Sequence, residues 1–168
     1  MNEFITGKVI ALGNNIDTDQ IYPGRYLDIV NHKEIGNHCL EGVDPAIVEN
    51  FTPGDIIVAG TNFGCGSSRE HAAIALLNMG AAAVLAESFA RIFFRNAINL
   101  GLPLVVCKGI SKKVENGQRI ELDIKSGTVR LESTGEVIAC EQIGNYAMDI
   151  LNAGGIKPLI RGKMESSR

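Results

Sequence analysis

Ile56-Ile57-Val58-Ala59-Gly60-Thr61-Asn62-Phe63-Gly64-Cys65-Gly66-Ser67-Ser68-Arg69-Glu70-His71-Ala72 runs from a strand through a glycine loop into a helix. Ile56 to Ala59 is a continuous apolar run, short enough for a strand buried on both faces, and Gly60 ends it. Thr61 to Gly66 is a flexible loop. Ser67 with Glu70 three residues on fits a capping box, and Ala72, Ala73, Ile74, Leu76 and Leu77 carry the helix to a stop at Gly80.

The alternation continues on both sides. Ala81 to Ala86 reads as a second buried strand, Ser88 to Asn99 as a helix capped by Gly101, and Leu102 to Cys107 as a third strand. Upstream, Phe4 to Leu12, with alternating Ile5, Gly7, Val9 and Ala11, is a strand ending at Gly13. Strands that alternate with helices imply a parallel sheet. Residues 28 to 50 carry weak helical periodicity in two short pieces, the second opening at Asp44-Pro45. After Gly109 the pattern changes to short alternating strands, Ile120 to Ile124, Val129 to Leu131 and Val137 to Ala139. Ile143 to Leu151, ahead of Gly154-Gly155, reads as the last helix. With no repeat or linker in between, residues 1–168 are expected to form one α/β domain, with parallel and antiparallel strands mixed in one core.

The chain has 168 residues, 45% hydrophobic and 21% charged, which suits one domain with a real core and leaves little for a second. Its 16 Lys and Arg against 19 Asp and Glu give a net charge of -3, and no basic cluster interleaves with aromatics, so a nucleic-acid backbone has no footprint. The apolar stretches fall far short of the roughly 18–20 residues that span a bilayer. Met1-Asn2-Glu3-Phe4 opens without the charged region and apolar run that direct export, so the expected location is cytoplasmic. Cys39, Cys65, Cys107 and Cys140 are widely separated and make no metal site by themselves. In a reducing compartment Cys107, inside Leu104-Val105-Val106-Cys107, is read as a small buried hydrophobe.

A helix N-terminus after a glycine loop presents unpaired N–H groups and the positive end of the helix dipole, which attract an anion. Arg69, placed in the first turn, can hold a carboxylate by two parallel hydrogen bonds, with the Ser67 and Ser68 hydroxyls at the mouth. For an isolated Ser-x-x-Glu the plainer reading is commoner: Ser67 caps its helix and Arg69 is solvated. A P-loop fails for want of Gly-Lys-Ser or Gly-Lys-Thr, and a dinucleotide fingerprint for want of its third glycine. Cys65 is a candidate low-pKa nucleophile with His32, His38 or His71 as base, yet nothing places a histidine against it. Asp17 and Asp19 make either a metal pair or, more commonly, an Asx-turn.

Gly13-Asn14-Asn15-Ile16-Asp17-Thr18-Asp19-Gln20-Ile21, Gly60 to Ala72 above, and Glu87-Ser88-Phe89-Ala90-Arg91-Ile92-Phe93-Phe94-Arg95-Asn96-Ala97 closely resemble the small subunits of the isopropylmalate dehydratase and homoaconitase family. The resemblance covers most of the chain. It implies an α/β fold of the swivelling β/β/α kind found in the C-terminal domain of aconitase, forming one wall of an active site. It further implies a heteromeric hydro-lyase that interconverts 2- and 3-isopropylmalate in leucine biosynthesis, with a large subunit holding a [4Fe–4S] cluster through its own cysteines. This chain alone would be inactive and would bind neither cluster nor metal.

By the same resemblance Ser67 is the base at the carbon losing a proton, Arg69 holds a substrate carboxylate, and Ser68 adds a donor. A serine hydroxyl is a poor base unless dipoles and cations favour its anion, which a helix start with an adjacent guanidinium would provide. Asp19 would orient a histidine or water of the large subunit. Arg91 and Arg95, four apart on one helix face, either neighbour the cavity or serve the structure. Substrate choice in the family depends on the loop after Tyr-Leu, here Tyr26-Leu27-Asp28-Ile29. Arg at that point goes with a distal carboxylate and an apolar residue with an isopropyl group, and Asp28 departs from both. A carboxylate facing a carboxylate is repulsive, so Asp28 implies a malate with an apolar substituent, 3-isopropylmalate first and a 2,3-dimethylmalate-type acid second. The alternatives are a homoaconitase small subunit and, from a different class, a non-catalytic carboxylate-binding module.

Overall fold

The computed structural model describes residues 3–167. Strands β1 (Phe4–Ala11), β2 (Ile56–Ala59), β3 (Ala83–Ala86) and β4 (Leu104–Val106) run parallel, and β5 (Arg119–Asp123), β6 (Thr128–Leu131) and β7 (Val137–Ala139) antiparallel. They form one seven-stranded sheet of order β4-β3-β2-β1-β5-β6-β7. β1 joins the two kinds of pairing. Val9 to Ala11 lie parallel to Ile56 to Val58, whereas Phe4 to Lys8 lie antiparallel to Arg119 to Asp123.

The sheet curls until its ends meet: the N–H of Glu141, just beyond β7, donates to the carbonyl of Val106 on β4 at 2.9 Å. Inside the curl Val9, Ile56, Val58, Leu85, Val105, Ile120, Leu122 and Val129 pack together, so both halves share a core. On the outer face Ile57, Ala59, Val84 and Ala86 meet side chains of α4 (His71–Met79), α5 (Arg91–Asn99) and α7 (Asn145–Ala153). Burial on both faces is why β2 and β3 read as unbroken apolar runs rather than as alternations. The remaining helices are α1 (Thr18–Ile21), α2 (His32–Gly36), α3 (Pro45–Asn50), α6 (Ile110–Lys113) and α8 (Ile156–Ser166), with a 3-10 turn at Gly24–Tyr26. Among the described residues no helix is long and apolar enough to cross a membrane.

Four expectations need correction. The Ser67–Glu70 capping box does not form: α4 starts at His71, and no side chain caps it. Ser67 is engaged elsewhere, and Arg69 precedes the helix instead of lying in its first turn. The helix expected from Ser88 starts at Arg91, because the backbone of Ser88 and Ala90 is hydrogen-bonded to Phe63. Gly154-Gly155 is no end point, since α8 follows it. Finally, Cys107 is joined to Cys140 as a disulfide, 33 residues away, because the curl brings the ends of β4 and β7 together. Asp44 caps α3 with Pro45 in its first turn, and left-handed Gly80 ends α4, both as read from the sequence.

Candidate active site

Residues 60–70 leave β2 at its carboxyl end and cross to two other loops before α4 begins. The Gly64 N–H donates to the Ile16 carbonyl at 2.7 Å and the Thr18 N–H to the Cys65 carbonyl at 2.8 Å. Gly64 has φ +85 and lies against the Phe93 ring, so a side chain there would meet both a strained backbone and a buried aromatic. Beneath, Phe63 packs edge-on against Phe93 at 5.4 Å. These contacts hold the loop in one shape although most of residues 65–70 are exposed.

Ser67 sits at the end of this braced segment. Its N–H donates to Thr18 Oγ1 at 3.1 Å, and the two hydroxyl oxygens are 3.2 Å apart, with either able to donate. Arg69 Nε donates to Ser67 Oγ at 2.9 Å. With Thr18 as donor, Ser67 Oγ accepts from a hydroxyl and from a guanidinium together, which favours its anionic form. Asn96 Nδ2, on α5, donates to the Ser68 carbonyl at 3.1 Å and pins the backbone between Ser67 and Arg69. Gly64, Gly66 and Ser67 line an open cleft of about 500 Å³ with Phe93, Arg91 and Arg95 on its other wall. Neither arginine is paired with a carboxylate among the described residues, and no acidic side chain lines the cleft.

Thr18 is the residue that the sequence reading passed over. It is buried, 6% exposed, and reaches Ser67 from 49 residues away. The available signal was Asp17-x-x-Gln20, which is the capping box that the structure does form: Asp17 Oδ1 accepts from the Gln20 N–H at 2.8 Å and Gln20 Oε1 from the Asp17 N–H at 3.0 Å. That box puts Thr18 in the first turn of α1, under the serine loop.

Asp19 follows on α1, exposed, and its Oδ1 accepts from the Gly24 N–H at 2.8 Å. Asp17 and Asp19 thus serve a cap and a turn. Asp28 is exposed after the 3-10 turn, and among the described residues it has no hydrogen bond or ion pair to the Ser67 group. The Ser68 hydroxyl is likewise free of hydrogen bonds among the described residues, while its carbonyl is held. His38 is bonded to Glu41 at 2.8 Å and His71 stacks on Tyr22, so neither makes a pair with Cys65. Burial pushes the Cys39 thiol well above its usual pKa. Among the described residues no group of three or more His, Cys, Asp or Glu is placed to hold a metal ion, and the free cysteines Cys39 and Cys65 make no ligand set for an iron–sulfur cluster.

A family profile described as the aconitase C-terminal domain matches residues 50–109. The small subunit 1 of 3-isopropylmalate dehydratase from Methanopyrus kandleri is 52% identical over 161 residues, covering 96% of this chain and 95% of that protein. The isopropylmalate/citramalate isomerase small subunit of Methanocaldococcus jannaschii is 48% identical over 168 residues, the full length of both. The crystal structure of a 3-isopropylmalate dehydratase from Methanocaldococcus jannaschii superposes with a TM-score of 0.94 at 38% identity, covering 98% of this chain and 97% of that one.

Proposed function

The chain belongs to the isopropylmalate dehydratase small-subunit family, with the mixed sheet of the aconitase C-terminal domain, and on that footing we propose that it pairs with a large subunit to form a hydro-lyase interconverting 2- and 3-isopropylmalate in leucine biosynthesis. The observation that carries the reading is Ser67 Oγ, within hydrogen-bonding distance of Thr18 Oγ1 and Arg69 Nε at the mouth of a cleft rich in positive charge.

Dehydration removes a proton from the carbon beside one carboxylate and hydroxide from its neighbour, and the released C–H electron pair becomes the new double bond; a cluster held by the large subunit would supply the Lewis acid that accepts the hydroxide. Ser67 Oγ takes that proton, and the exposed serine hydroxyl, open to exchange with water, supplies one on rehydration. Thr18 and the Arg69 guanidinium stabilise the serine oxygen while it is anionic, and the remaining N–H groups of Arg69, with the Ser68 hydroxyl, hold a substrate carboxylate. Asp19 orients a group of the large subunit. The described residues offer no ligand set for a [4Fe–4S] cluster, so in this reading the cluster belongs to the large subunit, and this chain contributes binding and proton transfer.

Asp28 supports an acid whose third substituent is apolar. In this chain Asp28 is exposed and outside the Ser67 cleft, so the preference holds only where assembly with the large subunit brings its carboxylate against the side group of the acid, and a further carboxylate there would face its charge. The test is a dehydratase assay of the chain assembled anaerobically with its reconstituted large subunit on 3-isopropylmalate, homocitrate and 2,3-dimethylmalate. Turnover of 3-isopropylmalate alone is expected. Preference for homocitrate would overturn the Asp28 reading and keep the reaction type, and turnover of none would leave a carboxylate-binding module.

A further inference from the structure

Leu40 is a buried leucine in the left-handed region, φ +63, a conformation that bulky residues rarely adopt. Its N–H donates to the Ile21 carbonyl at 2.7 Å, and two residues on Gly42 lies so close to α1 that a Cβ there would be 2.8 Å from Gln20 Cα. This strained turn is therefore clamped to the helix that carries Thr18 and Asp19. Glu41, between the two, contacts the segment leading to Asp28. Its Oε1 accepts from the Tyr26 hydroxyl at 2.6 Å and from Arg25 Nη2 at 3.0 Å, and its Oε2 is 2.8 Å from His38 Nδ1.

Tyr26 is fixed at every part. Its ring stacks on His38 at 3.8 Å, the Arg25 guanidinium lies 4.7 Å from its centroid, and its carbonyl accepts from the Tyr22 hydroxyl at 2.6 Å. Tyr22 in turn stacks on His71, the first residue of α4. Full burial of the Leu40 side chain in the core and its bond to Ile21 hold the strained turn in place against α1. Strain held in place by its surroundings next to a candidate site points to a use.

We propose that Glu41 is a positioning residue that holds Tyr26 and Arg25 so that Leu27 and Asp28 present one fixed surface to the side group of the acid, a role that rests on the reading of Asp28 above. In the assembled enzyme Glu41→Ala is expected to raise KM for 3-isopropylmalate about tenfold and to leave kcat within about twofold. The preference over 3-methylmalate, which has a methyl in place of the isopropyl group, falls by about tenfold. Glu41→Gln, which keeps an acceptor for the Tyr26 hydroxyl, restores most of both. A loss in kcat with KM and preference unchanged would overturn the proposal. Should Glu41→Ala not fold, Tyr26→Phe removes only the hydroxyl and is expected to shift the preference in the same direction, by about threefold. An unchanged preference in Tyr26→Phe overturns the proposal equally. Asp28→Ala separates the two levels: if it leaves preference unchanged, the whole segment has no part in substrate choice, whereas if it alters preference while Glu41→Ala does not, only the role of Glu41 falls.

Discussion

β2 and β3 leave the sheet through irregular stretches, residues 60–70 and 87–90, before their helices begin, whereas β5, β6 and β7 are linked by turns at residues 124–127 and 132–136 that lead straight back into the sheet. In the first case the stretches are braced, Phe63 against Phe89 and Cys65 against Asp17 of the loop after β1, and Ser67, Ser68 and Arg69 project at the carboxyl ends of parallel strands. In the second the turns satisfy themselves. Asp123 Oδ1 accepts from the Ser126 N–H at 3.1 Å, and the outward side chains form solvated pairs such as Arg130–Glu121. Both halves fill the same curl with the same kinds of apolar side chain. The parallel half needs a longer path from strand to helix, and that path is where polar groups can be held against each other without entering the core.

If this contrast is right, substitutions of equal size should differ greatly between the halves. Ser67→Ala is expected to lower kcat of the assembled enzyme by about a thousandfold with KM altered only a few fold, measured by steady-state kinetics on 3-isopropylmalate. Arg69→Lys keeps the charge and loses the forked geometry, so kcat/KM should fall about a hundredfold, with KM contributing. Thr18→Val keeps the shape of the buried side chain and removes its hydroxyl, and a loss of about tenfold in kcat is expected. In the antiparallel half Arg130→Ala breaks an exposed pair, and denaturant titration should register less than about 0.5 kcal/mol, with turnover unchanged.

The smallest effect concerns acid. Ser111 and the Gly109 N–H hold the Glu87 carboxyl below its ordinary value, and Ser126 does the same for Asp123. A carboxylate depressed by folding adds stability that is complete above its unfolded pKa, near 4.5 for Glu, and is lost as pH falls through the folded value. Glu87→Gln should therefore give a shallower fall in Tm below about pH 4.5 than the parent chain, while the two run parallel at neutral pH.

The elements legible in the sequence are those specified by neighbours in the chain. Asp44-Pro45, the run Ile56 to Ala59 and the stop at Gly80 depend on residues a few positions apart, and the structure agrees with them. Ser67 and Arg69 stand out locally, as an anion site after a glycine loop, while their catalytic roles and the places of Asp19 and Asp28 come from the resemblance; the structure joins Ser67 to Arg69 and leaves Asp28 apart. What was missed depends on groups far away in sequence. Thr18 claims Ser67 from 49 residues off, which is why a local capping pattern at Ser67–Glu70 gave a false helix start. Cys140 meets Cys107 only because the sheet curls, and α8 was hidden behind a glycine pair that caps one helix and begins the next.

The measurement that bears most directly on Ser67 as the base is exchange of the substrate's carbon-bound hydrogen with deuterated water, catalysed by the assembled enzyme and by its Ser67→Ala variant at saturating 3-isopropylmalate. The expected result is exchange in the parent enzyme and a rate lower by about a thousandfold in the variant, with substrate binding retained. Exchange at the parent rate in Ser67→Ala would place the base elsewhere, outside this chain's serine loop.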